Sequence, residues 1–148
     1  MTIPSKGSKM PKIKQIDHIA IVVNDTESAL SFWRDILGLE LDHVAIVSEQ
    51  KSEVAFLRAG SSEIELVNPT SEDTGISRYL DKHGPGMHHL CLQVEDIDNI
   101  LDDLRKKGVR LINENPLLGK HGQRYAFIHP ESACGVLLEL YEYPEVDS

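Results

Sequence analysis

One apolar pattern occurs twice in this chain, and that repeat limits the possible folds more than any other feature. The stretch Met87-His88-His89-Leu90-Cys91-Leu92-Gln93-Val94 matches Ile16-Asp17-His18-Ile19-Ala20-Ile21-Val22-Val23. His18 falls on His89 and Asp25 on Asp96, both at an offset of 71. Farther on, Ile64-Glu65-Leu66 answers Leu138-Glu139-Leu140 at an offset of 74. Each half carries one His on its first strand and one Glu on its last. A repeat of this length implies two copies of one supersecondary unit.

The elements follow in order. Residues 16–23 are a β-branched run that reads as a buried strand. Asn24 and Asp25 are helix-capping types. Ala29, Leu30, Phe32, Trp33, Ile36 and Leu37 recur at helical spacing, and Gly38 ends the helix, with Phe32 and Trp33 expected to dock it on its sheet. Strands are predicted at 39–47, 53–58 and 63–68, around a polar turn at 48–52 and a hairpin turn at 59–62. Residues 69–85 form a linker with a short helix near 75–80, broken by Gly84-Pro85-Gly86. The second half repeats the plan with a strand at 87–94 and a helix at 96–107 that buries Ile97, Ile100, Leu101 and Leu104. Strands at 109–113, 123–129 and 135–143 follow, with a loop at 117–122. The expected fold is α+β: two tandem βαβββ modules, about 13–68 and 86–143, in one domain spanning 13–143. Their curved mixed sheets are expected to enclose a metal-containing cleft.

Composition narrows the function. The chain has 148 residues and a formal net charge of −9. Nucleic-acid binding draws on clustered Lys and Arg, so that charge argues against it. No stretch has the roughly 18 apolar residues of a membrane helix. Residues 1–12 read as a flexible tail without the apolar segment of a secretory signal. Two cysteines, Cys91 and Cys134, are too few for a disulfide framework; both are expected to pack as small apolar groups in a cytoplasmic protein.

The repeated His and Glu point to a metal. Imidazole and carboxylate donors suit a divalent ion such as Co²⁺, Ni²⁺, Zn²⁺, Mn²⁺ or Fe²⁺. His18, Glu65, His89 and Glu139 would leave positions open on such an ion, as catalysis requires. A lone strand His is more often a hydrogen-bonded residue, and a lone Glu more often a solvated one. Solvated faces have no reason to repeat the same residue type in both halves. His88 aligns with Asp17 and is the competitor to His89. His43, His83, His121 and His129 have no repeat partner and are assigned surface or hydrogen-bonding roles.

On these residues the chain resembles the vicinal oxygen chelate superfamily, over about residues 13–143. Within it, the branch of methylmalonyl-CoA epimerases is most similar. The resemblance rests on Ile16-Asp17-His18-Ile19-Ala20, Ile64-Glu65-Leu66-Val67-Asn68-Pro69, Gly86-Met87-His88-His89-Leu90, Gly108-Val109-Arg110-Leu111-Ile112 and residues 126–140, with the Gly119-Lys120-His121-Gly122 loop before the last. It implies one divalent ion per chain on His18, Glu65, His89 and Glu139. It also implies an acyl-CoA thioester substrate, a homodimer, and Glu139 as one carrier of the α-proton. Arg78, Lys82, Lys120 and Arg124 are candidates for the coenzyme A tail, each otherwise an ordinary surface charge. Where some epimerases place a second carboxylate, the ungapped alignment puts Val54. Glu53, one residue away, is the candidate second carrier if a bulge turns it inward, and Glu49 competes with it. A glyoxalase I-like lyase acting on a glutathione adduct, and a non-catalytic binding member of the fold, are the alternatives.

Overall fold

Strand β1 (Lys12–Val22) opens the ordered chain in the computed structural model, which describes residues 12–145. The expected tail therefore lies outside the described residues except for Lys12, which begins the strand. Seven further strands and three α-helices follow among the described residues; β1 runs parallel to β4, and β2–β3, β3–β4, β6–β7 and β7–β8 are antiparallel, so the α+β class with mixed pairing is borne out. The chain divides into two compact units, Ile16–Cys91 and residues 12–15 with 92–145. No helix among the described residues is long and apolar enough to cross a membrane.

In the unit Ile16–Cys91 the strand order is β2-β3-β4-β1-β5, where β2 is Glu40–Val47, β3 Ser52–Ala59, β4 Ser62–Pro69 and β5 Gly86–Glu95. Alternation along these strands gives two faces. One carries Val23, Ala55, Leu57 and Leu66, packed under Leu30 and Trp33 of the first helix. The other carries Ala20, Val22, Val54 and Val67, packed under Ile76, Tyr79 and Leu80 of α2 (Gly75–His83). Fully burying a Val or Leu side chain is worth roughly 1.5–3 kcal/mol, so the two layers fix both helices on this sheet.

The first helix departs from the periodicity. Asp25 caps it as expected, its carboxylate accepting the Ser28 N–H at 2.9 Å. Helix α1 (Thr26–Leu30) then widens into a π-helical turn over Ser31–Ile36, where the Leu37 N–H reaches back to the Phe32 carbonyl. A π turn holds more residues than an α turn, so positions projected at 3.6-residue spacing rotate off the buried stripe. Trp33 stays half-buried, whereas Phe32, Ile36 and Leu37 are 48%, 77% and 54% exposed. Docking falls to Trp33 and Leu30 rather than to Phe32.

The second unit has the order β5-β8-β7-β6, with β6 Leu117–Leu118, β7 Arg124–Ile128 and β8 Leu138–Glu142. Helix α3 (Ile97–Lys106) buries Ile97, Ile100 and Leu101 against Ala126, Ile128 and Leu140, with Leu104 packed alongside, as its spacing predicts. The strand predicted at 109–113 is reduced to one bridge, Leu111 with Ile128. The Asn113 side chain accepts the Phe127 N–H at 2.8 Å, taking the donor that a longer ladder would use. The predicted loop at 117–122 instead begins with β6, paired to Tyr125 and Arg124. Cys134 is exposed with φ +56°, so it does not pack as an apolar group; Cys91 does.

Candidate metal centre

His18 and His89 meet within the unit Ile16–Cys91. Their rings lie 5.5 Å apart edge to face, and each residue is at most 8% exposed. Glu65 reaches His18, with Oε2 3.2 Å from His18 Nδ1. The sheet explains this. Parallel pairing sets Ala20 beside Glu65, and His18 and Ala20 share a face because they are two residues apart. Cys91 lies two residues beyond His89, and its thiol is within 4.8 Å of the Asp17 carboxylate and a His18 ring nitrogen.

The donors fit a divalent ion. Two buried imidazoles, one with the Glu65 carboxylate beside it, stand by a face that carries Ala20, Val22, Val54 and Val67. Ionisable groups are rarely gathered among apolar side chains unless paired or ligating.

Each histidine is held from behind. Asp17 Oδ2 lies 2.6 Å from His18 Nδ1, and His88 Nδ1 lies 2.9 Å from His89 Nδ1. The His88 ring also packs edge to face on Tyr79, at 4.9 Å. The sequence repeat picked His89 over His88, and His89 is the one brought against His18.

Glu139 is 5% exposed on β8, opposite Phe127 on β7, on the face away from the α3 core. Glu53 stands on the face of β3 opposite that of Glu65: Phe56 pairs with Glu65, and the β3–β4 register runs unbroken from Ser52 to Ala59. No bulge in that ladder turns Glu53 inward. Val54 shares the Glu65 face but is sealed under α2. Glu49 is exposed in a 3₁₀ turn. Of the cations, Arg124 pairs with Asp98 at 2.6 Å, holding that carboxyl below the usual aspartate range, while Arg78, Lys82 and Lys120 are exposed.

One residue on this face was passed over for want of a repeat partner. His43 pairs with Phe56, and the two rings stack 4.5 Å apart. The row His43–Phe56–Glu65–Ala20 therefore crosses one face of the sheet. A register shift between Leu41 and His43 lets Asp42 project beside it. Asp42 Oδ2 is 2.6 Å from His43 Nδ1, and Arg58 donates to Asp42 at 3.1 Å. The hydrogen bond with His43, then that from Arg58, lowers the Asp42 carboxyl below its ordinary range. Nearby, burial first and the Asp17 charge second push the Glu63 carboxyl up. The Asp-His dipeptide at 42–43, which repeats the type at 17–18, was the available signal. His129 accepts the Glu131 N–H at 3.0 Å and His83 stacks on Tyr79, which fits the ordinary roles assigned to them.

Residues 17–127 match the sequence profile of the Glyoxalase/Bleomycin resistance protein/Dioxygenase superfamily. The mitochondrial methylmalonyl-CoA epimerase of Mus musculus is 36% identical over 136 residues, covering 91% of this chain and 76% of that protein. The ethylmalonyl-CoA/methylmalonyl-CoA epimerase of Cereibacter sphaeroides is 35% identical, covering 86% of this chain and 97% of that one. A solved structure of a Streptomyces coelicolor methylmalonyl-CoA epimerase variant, in complex with 2-nitronate-propionyl-CoA, superposes with a TM-score of 0.82. It is 35% identical, with coverage of 92% and 99%.

Proposed function

The chain belongs to the glyoxalase/bleomycin resistance/dioxygenase superfamily, and from that premise we propose that it is a metal-dependent epimerase of methylmalonyl-CoA. Its relatives and structural neighbours place it among the isomerases. The dependence on metal, the residues and the substrate are the proposal. The observation that carries it is the buried pair His18 and His89, with rings 5.5 Å apart, and the Glu65 carboxylate 3.2 Å from His18 Nδ1. Glu139 is proposed as the fourth ligand because it holds the place of Glu65 in the second copy of the repeat. A divalent ion held there would supply Lewis acidity to the enolate oxygen that develops when the α-proton leaves.

The residues of the chain then have separate tasks. His18, Glu65 and His89 would hold the ion, and Ala20, Val22, Val54 and Val67 form the apolar layer under α2 beside them. Glu139 is proposed to take or return the α-proton on one face of the carbon. Epimerisation needs a second carrier for the other face. His43 is favoured over Glu53, because His43 shares the face of Glu65 and Glu53 does not. The Asp42 carboxylate would accept the Nδ1–H of His43 and so fix its tautomer, leaving Nε2 to exchange the proton. An acyl-CoA partner, a homodimer and a cytoplasmic setting complete the reading.

The test is α-proton exchange with each stereoisomer of methylmalonyl-CoA in deuterated buffer, with and without added Co²⁺, beside a hemithioacetal assay. Metal-stimulated exchange from both stereoisomers is expected, with no turnover of the hemithioacetal. The reverse result would make the glyoxalase-like lyase the right reading. In the same assay His43→Gln is expected to slow exchange from one stereoisomer alone, and Glu53→Gln from neither.

A further inference from the structure

We propose that Asp17 and His88 are positioning residues, each holding the Nδ1 of the histidine that follows it so that Nε2 is the atom offered to a divalent ion. This rests on the reading of His18 and His89 as ligands. It goes beyond it in naming the ligating nitrogen and what selects it. The two contacts occupy equivalent places in the internal repeat, since Asp17 aligns with His88 just as His18 aligns with His89. Both are short, at 2.6 Å and 2.9 Å, and both ligand histidines are buried.

The chemistry fixes the tautomer of His18, and a bound ion would select that of His89. A carboxylate can only accept, so His18 must carry its proton on Nδ1 to satisfy Asp17. Neutral His18 then has its lone pair on Nε2. In the second pair one Nδ1 must donate and the other accept. If His89 donates, its lone pair also falls on Nε2, and His88 is the tautomer protonated on Nε2. An ion at Nε2 of both residues favours that arrangement, because a ligating nitrogen cannot also carry the proton. Glu65 Oε2, 3.2 Å from His18 Nδ1, is the weaker claimant on that proton.

The partners differ in charge, which predicts unequal effects. A carboxylate behind an imidazole raises its basicity as a ligand, whereas a neutral imidazole mainly orients it. Asp17 should therefore matter more for affinity than His88. His88 has a second anchor in the Tyr79 ring, which itself donates from its hydroxyl to the Met87 carbonyl at 3.1 Å.

The experiment is Co²⁺ titration by calorimetry and by the visible d–d spectrum, on the full chain and on Asp17→Asn, Asp17→Ala and His88→Leu. It is paired with long-range ¹H–¹⁵N spectra of the Zn²⁺-loaded protein, which report which ring nitrogen is protonated. Expected are Nδ1–H and metal-bound Nε2 at both His18 and His89. Asp17→Ala should weaken Co²⁺ about 10- to 100-fold with a shifted spectrum. Asp17→Asn, which keeps an acceptor oxygen in the same volume and guards against loss of folding, should fall between Asp17→Ala and the parent. His88→Leu should weaken binding less than Asp17→Ala. Metal on Nδ1 of either histidine, or affinities of both Asp17 variants within about threefold of the parent, would overturn the proposal, the second because it lies below the range expected of an outer partner. Neither readout uses turnover. A chain that binds the ion through Nε2 but exchanges no α-proton would refute the epimerase reading alone. A chain that binds no divalent ion would overturn both.

Discussion

Glu65 in the unit Ile16–Cys91 stands opposite Phe56 on an antiparallel ladder, and Glu139 in the unit of residues 92–145 stands opposite Phe127 in the same way. Both carboxylates lie on the face away from the helix that follows the first strand of their unit. The flanking Leu66 and Leu140 point into that helix's core instead. The likeness fades toward the sheet edges. The first unit has a full outer strand, β2, while the second has a single bridge at Leu111 and a two-residue β6. The helices also begin differently. Asp25 caps its helix with its own carboxylate. Asp96 sits at φ +62° with no capping bond to the backbone, and Glu142 accepts the Ile97 N–H instead, at 3.0 Å. The repeat is kept at the candidate His and Glu ligands and lost at the edges, where no ligand has to be placed.

The largest expected effect breaks the likeness between the two carboxylates. Glu65→Gln and Glu139→Gln should each weaken metal binding, since an amide oxygen coordinates less strongly than a carboxylate. At saturating metal only Glu139→Gln should also lose turnover, by at least about 10²-fold, the scale of a lost acid–base group. Equal losses for both variants at saturating metal would mean that Glu139 is a ligand and no more.

A second test separates neighbours on the π turn. Trp33→Ala should cost roughly 2 kcal/mol, less than the 3–5 kcal/mol of a fully buried ring, because Trp33 is half-buried. Phe32→Ala, at an exposed site, should stay within about 0.5 kcal/mol. Denaturant unfolding of the two variants measures both, and a reversed order would mean the helix docks through Phe32.

The smallest effects compare the two caps. Asp25→Ala should lower the melting temperature measurably, because the Ser28 N–H loses its acceptor. Asp96→Gly should leave it unchanged or raise it slightly, since glycine adopts a positive φ without strain and no capping bond to the backbone is lost. A larger loss at Asp96 than at Asp25 would contradict the assignment of the caps.

Much of this is legible in the sequence alone. Period-two alternation around Glu65 and Glu139, and the repeated His, pointed to the elements that carry the candidate donors. What stayed hidden has identifiable causes. The π turn was invisible because helical spacing assumes one residue count per turn, so Phe32, Ile36 and Leu37 were read as buried. The outer strand of the second unit was overcalled because Val109, Leu111 and Ile112 have strand propensity, while a single Asn113 side chain takes the hydrogen bond that would have extended it. His43 carries no such signal, because it is present in one copy of the repeat alone. Its place beside Phe56 depends on a register shift in β2 that no local pattern announces.

The central claim is that the two copies of the repeat serve one ion together. Calorimetric titration of the apo-protein with Co²⁺, on the parent chain and on His18→Ala, His89→Ala and His88→Ala, tests it most directly. One ion per chain is expected, with tight binding abolished in His18→Ala and His89→Ala and largely retained in His88→Ala. Two ions per chain, or tight binding that survives His89→Ala, would contradict it.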